Sequence, residues 1–129
     1  MIPFDAHRLA KSFSDAMRGI LLVFKEEQSF RIQVLAGAGV LVCAAALRAS
    51  PLEWLVLLAV IGAVLSLELV NSVFERVIDA FKPRLHPAVR DMKDIMAGVV
   101  LIASLIAAVV GLFVFVPRLA PFFRPLGLG

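Results

Sequence analysis

From the amino end, apolar residues first recur every three or four positions: Leu9, Phe13, Met17, Ile20 and Phe24, with Arg8, Lys11, Asp15, Arg18 and Lys25 opposite them. That period predicts an amphipathic helix over about 5–27, opened by Asp5 as N-cap. A basic helix of this kind ahead of a membrane span lies in the interfacial plane. After the charged stretch KEEQSFR the alternation stops, and a continuous apolar run predicts a first span over about 30–48. The 16 residues between Arg31 and Arg48 reach only about 24 Å as helix, so flanking residues must complete the crossing. Gly37, Gly39 and Ala44–Ala46 offer a smooth surface for close helix packing. In the turn RASPLEW, Pro51 opens a second helix and Trp54 stands as an interfacial anchor. The second span is expected over about 52–81, and the basic loop KPRLHPAVRD follows. The third span, about 92–116, contains 22 uncharged residues from Ile95 to Val116, about 33 Å of helix. Pro117-Arg118 is expected to end it and leave 117–129 as a loosely ordered tail.

The pattern defines an all-α membrane protein: an N-terminal amphipathic interfacial helix plus three transmembrane helices in a single integral-membrane domain, 1–129. Composition agrees, since 61% of the 129 residues are hydrophobic, more than a soluble domain of this size can hide. The net charge of +3 matters less than its placement. Lysine and arginine number five up to Arg31, one in the first connection, five from Arg76 to Lys93 and two after Val116. The positive-inside rule therefore places the N-terminus and the second loop in the cytoplasm and the C-terminus outside. The first residues have no continuous apolar core, so no cleavable signal peptide is expected. Cys43 is the lone cysteine, which excludes an internal disulfide and a cysteine-based metal site.

Candidate chemistry lies on the second span. Glu68, Asn71, Ser72, Glu75 and Asp79 fall within about a third of the helix circumference. An acid at membrane depth costs on the order of 2.5–3.5 kcal/mol on the insertion scale, so several on one face need a reason. Glu68 lies about 21 Å along the helix from Trp54, within the hydrocarbon near its inner boundary, and Glu75 lies about 10 Å further, at headgroup level. The topology brings Glu26 and Glu27, this helix end and Lys93-Asp94 to the same cytoplasmic side. Glu26 points about 100° from Glu27 on a continuous helix and is left out of the site. A buried carboxylate can act as general base, carboxylates nearer water can hold Mg²⁺, and a lysine can hold phosphates. No Walker A loop, Gly-rich kinase loop or GxSxG motif is present. Residue spacing alone leaves open an enzyme, a proton or ion pathway along the polar face, and a regulatory membrane subunit.

The segment ELVNSVFERVID (Glu68 to Asp79), a short loop with His86, and then Lys93-Asp94 resembles the prokaryotic diacylglycerol kinase family, which includes the undecaprenol kinases. The amphipathic N-terminal helix with Gly19 and the element Glu27-x-x-Phe30-Arg31 extend the resemblance over nearly the whole chain. It implies a homotrimer in the bacterial inner membrane that transfers the γ-phosphate of MgATP to a lipid alcohol, with a site completed by neighbouring protomers. Its partners would be ATP, the lipid and the bilayer, with no nucleic acid. On matching positions Glu68 is the catalytic base and Asn71 supports the reaction centre. Glu27 and Glu75 are the Mg²⁺ ligands, and Arg8, Glu27, Glu75, Arg84, His86, Lys93 and Asp94 bind the nucleotide. Two positions depart from the diacylglycerol kinase branch: Asp15 stands where that branch has an aromatic residue, and Gln33 replaces an acid. KEEQSFRI, LELVNSVFERVID and GLFVFVPRL are closer to the undecaprenol kinase branch.

Overall fold

The amphipathic segment folds because Asp5 satisfies the first free amides. Its Oδ1 accepts from the backbone N–H of His7 at 3.0 Å and of Arg8 at 3.2 Å, as an N-cap should. In the computed structural model, which describes residues 5–81 and 87–123, helix α1 runs Ala6–Glu26, α2 Gln28–Ala46, α3 Pro51–Phe81 and α4 Ala88–Phe123. The last three are long and apolar enough to cross a membrane, and the described residues contain no strand. On α1, Leu9, Phe13 and Met17 remain exposed. The stripe is thus open to a lipid surface for most of its length.

The boundary between α1 and α2 is a single residue. Glu27 is extended (φ −100°, ψ 116°) and serves as the C-cap of one helix and the N-cap of the next. Its N–H reaches Val23 O at 2.8 Å, while its own carbonyl accepts from Arg31 N–H at 3.3 Å. Arg31 secures the break by donating Nη1–H to the carbonyls of Phe24 at 3.2 Å and Lys25 at 2.8 Å, two of the carbonyls that a helix end leaves unpaired.

The turn into α3 is a capping box. Glu53 N–H donates to Ser50 Oγ at 3.3 Å, Ser50 N–H donates to Glu53 Oε2 at 2.6 Å, and Pro51 sits at the first helical position. Arg48 turns the chain with a positive φ of 52°. Above this turn Ala44, Leu57 and Val114 form the apolar core, with Trp54 and Phe115 packed against it.

The end of α4 differs from the sequence expectation. The helix does not stop at Pro117 but continues through Pro117 and Pro121 to Phe123. Proline removes one intrahelical bond, and here a tertiary clamp holds the segment. Arg118 binds the Glu53 carboxylate through both Nε and Nη2, and its Nη1–H donates to the carbonyls of Leu47 and Arg48 at 3.0 Å each. One guanidinium thereby ties α4 to the α2–α3 turn. Arg118→Ala is expected to lower the unfolding midpoint in detergent. Arg118→Lys recovers only part of it, since a single ammonium cannot reproduce the planar fork.

Gly37 is where α2 and α3 approach most closely among the glycines. A Cβ there would lie 3.0 Å from Ile61 Cγ2, whereas one at Gly39 would meet nothing within 4 Å. The smooth surface expected for the first span is therefore used at Gly37 and Ala44, both buried, while Gly39, Ala45 and Ala46 are exposed. Gly37→Leu should cost about 1–3 kcal/mol by overpacking, read as a lower midpoint in thermal unfolding.

Candidate active site

Burial along the polar face of α3 is graded. Glu68 is 3% exposed and Ser72 1%, Asn71 and Glu75 are half-buried, and Asp79 is exposed. The face therefore runs from the packed interior outward to the exposed end of α3. The deepest acid is not left bare. Ser29, in the first turn of α2, donates its hydroxyl to Glu68 Oε1, and Gln33, four residues on, donates Nε2–H to Oε2 at 3.3 Å. Burying a carboxylate without such donors would be prohibitive. Two buried acceptors, Gln33 Oε1 and Asn71 Oδ1, have no hydrogen-bond partner among the described residues. Buried acceptors of this kind mark a place where a donor-bearing molecule can bind.

Gln33 also touches a second feature. An apolar groove of ≈ 430 Å³ runs between α2, α3 and α4, lined by aliphatic side chains such as Val64, Leu65 and Leu112, with Gln33 and Ser104 as its polar members. One end of an apolar groove thus adjoins the buried acid.

The charged cluster forms at the outer end of the polar face. Arg76 Nη2 lies 2.9 Å from Glu26 and 3.7 Å from Glu27. The contact with Glu26 is ionic rather than an aligned hydrogen bond, since neither Nη2 nor Nε of Arg76 has a hydrogen-bond partner among the described residues. Across the next interface Lys93 Nζ lies 3.4 Å from Glu75 Oε1, and Asp94 is exposed beside it. Glu26 joins the cluster after all, because the helix breaks at Glu27 and both acids lie within 4 Å of Arg76. Arg8 is elsewhere: its side chain is 80% exposed and pairs with Asp5 at 3.8 Å, about 27 Å along α1 from Glu26. Arg84 and His86 lie outside the described residues.

Among the described residues no three His, Cys, Asp or Glu side chains converge on a metal position. Mg²⁺ asks for less: one or two carboxylates, with water and substrate phosphates filling the remaining positions. Glu27 and Glu75 are half-buried carboxylates, and each has a cationic group, Arg76 or Lys93, within 4 Å.

Ser29 and Gln33 were not identified from the sequence as partners of Glu68. Spacing four apart places them on one face of α2, but only the docking of α2 on α3 shows which acid they meet.

Three membrane-length helices, with a buried acid beside one end of an apolar groove and paired charges beyond it, define an all-α integral membrane protein. Residues 14–115 match the prokaryotic diacylglycerol kinase family. The chain is 34% identical over 115 residues to the undecaprenol kinase of Bacillus subtilis, covering 89% of this chain and 94% of that protein. It is 32% identical over 115 residues to the diacylglycerol kinase of Synechocystis sp., covering 88% of this chain and 66% of that protein. The chain belongs to the prokaryotic diacylglycerol kinase family and is a lipid kinase. That membership replaces the ion-pathway and regulatory-subunit alternatives left open by residue spacing.

Proposed function

We propose that the protein phosphorylates a membrane lipid alcohol with the γ-phosphate of ATP at the cytoplasmic face of the bacterial inner membrane. The observation that carries this reading is Glu68, buried where the apolar groove meets the polar face and joined to both through Gln33. A lipid chain in the groove has its hydroxyl end beside the acid. Glu68 takes the hydroxyl proton, the acceptor oxygen forms a bond to the γ-phosphorus, and the bond to the bridging oxygen breaks to release ADP. Asn71 Oδ1, buried and without a hydrogen-bond partner among the described residues, completes the polar wall of this reaction centre.

The nucleotide is held further out. Lys93 and Arg76 exchange their carboxylate partners for phosphate oxygens, and Asp94, together with Arg84 and His86, contacts the rest of the nucleotide. Glu27 and Glu75 are the side chains that would hold Mg²⁺, which supplies charge neutralisation for the phosphates when bound. Phosphoryl transfer needs positioning and charge more than a covalent intermediate, so this inventory suffices. Arg8 is too far along α1 to reach this cluster in its own chain. Its role is at the site of a neighbouring copy in a homotrimer.

Undecaprenol is the acceptor we favour over diacylglycerol. The local motifs and the fuller coverage of the undecaprenol kinase relative support it. The groove adds support because its aliphatic lining suits a chain without ester groups. Transfer of label from ATP in detergent–lipid micelles, with both lipids offered in parallel and Glu68→Gln as blank, tests the reading. Label in undecaprenyl phosphate is the expected result; label in phosphatidic acid alone would reverse the substrate choice, and label in neither would end the proposal.

A further inference from the structure

A general base alternates between two chemical forms in every turnover. It is a carboxylate before it takes the proton and a carboxylic acid afterwards. Neighbours that only donate hydrogen bonds favour the first form, and neighbours that only accept favour the second. Both side chains holding Glu68 can do either. The Ser29 hydroxyl donates to Oε1, yet a rotation about its C–O bond turns a lone pair toward the same atom. Gln33 presents Nε2–H to Oε2 at 3.3 Å, and a half-turn of its amide would present Oε1 instead. That Oε1 is buried and has no hydrogen-bond partner among the described residues, so the accepting half of the amide is free to turn to Glu68.

We propose that Ser29 and Gln33 are positioning residues of Glu68 that hold its carboxyl group in both protonation states, donating to the carboxylate and accepting from the acid. The inference rests on the reading of Glu68 as the base. It also gives a chemical reason for an amide at position 33. A second acid there could not donate to Glu68 while both are ionised, and an aliphatic residue would leave one oxygen of a buried carboxylate without a partner.

The test uses the full chain in lipid–detergent micelles, with kcat and the KM for ATP measured at saturating lipid. Ser29→Ala and Gln33→Leu are each expected to lower kcat on the order of tenfold, as for loss of a hydrogen bond to a charged group. The KM for ATP should stay within about twofold, because neither residue is placed at the nucleotide. Ser29→Thr, which keeps the hydroxyl, restores turnover. Gln33→Lys, which donates but never accepts, stays slow; full activity in that variant would overturn the two-state role.

The same substitutions in a Glu68→Gln background separate positioning from general structural damage. With the base gone they should lower the residual turnover no further. An equal loss in both backgrounds would mean that they act elsewhere and would overturn the inference. If Glu68→Gln is inactive while the Ser29→Ala/Gln33→Leu double variant keeps wild-type kcat, only the positioning role falls. If Glu68→Gln itself turns over normally, the base reading falls and the positioning role with it.

Discussion

Glu68→Gln should reduce lipid phosphorylation on the order of 10²–10⁴-fold, the usual contribution of a positioned general base. Binding of MgATP should be unchanged. The substitution keeps the size of the side chain and removes its ability to take a proton. Ser29 can still donate to the amide oxygen, so the local hydrogen bonding is largely kept and the packing of α2 on α3 should survive. The loss therefore falls on kcat rather than on folding or on the KM for ATP. Rapid-quench measurement of the chemical step, with nucleotide binding followed separately by calorimetry, distinguishes these quantities. Wild-type kcat in this variant would remove Glu68 from the chemistry.

The second large effect is expected at the opposite end of the polar face. Glu75→Ala should weaken Mg²⁺-dependent nucleotide binding on the order of 10–100-fold or more, since even outer-shell partners of a metal site contribute that much. Glu75 lies 3.4 Å from Lys93, so its removal also releases the lysine that is assigned to phosphate. The two consequences can be told apart. Lys93→Ala should weaken nucleotide binding with and without Mg²⁺, whereas Glu75→Ala should abolish the difference between the two conditions. Calorimetric titration with ATP, in Mg²⁺ and in chelator, reads this directly. A Glu75→Ala variant that keeps the full Mg²⁺ enhancement would take the metal away from this residue.

The two substitutions act about 10 Å apart along α3, and the separation is part of the design. The acid beside the apolar groove lies inside the protein, where donors are few and specific. The acid nearer water pairs with an exposed lysine.

Much of this layout was legible in the residues. The period of three to four over the first helix, the apolar runs and the Asp5 cap all became the elements expected, because each depends only on residues near in sequence. The polar face of α3 was equally legible, since a helix fixes the angular relation of Glu68, Asn71, Ser72 and Glu75 whatever surrounds it. Other features were not legible. The helix boundary near Glu27 was expected, but not its contacts: Arg31 reaches back to the carbonyls of Phe24 and Lys25, and Glu26 meets Arg76. The passage of α4 through Pro117 depends on Arg118 meeting a turn about 70 residues earlier, at Leu47, Arg48 and Glu53. Of two similar glycines in α2, only Gly37 lies against Ile61.

The sequence alone thus determined the membrane class, the helices and the line of acids along α3, because hydrophobic run length and helical angle are local properties. Only the tertiary structure decided which groups those acids meet: Ser29 and Gln33 at Glu68, Arg76 at Glu26 and Glu27, Lys93 at Glu75. Those partnerships depend on how helices dock and where they break, and docking is set by contacts between residues far apart in the chain, which no local period encodes.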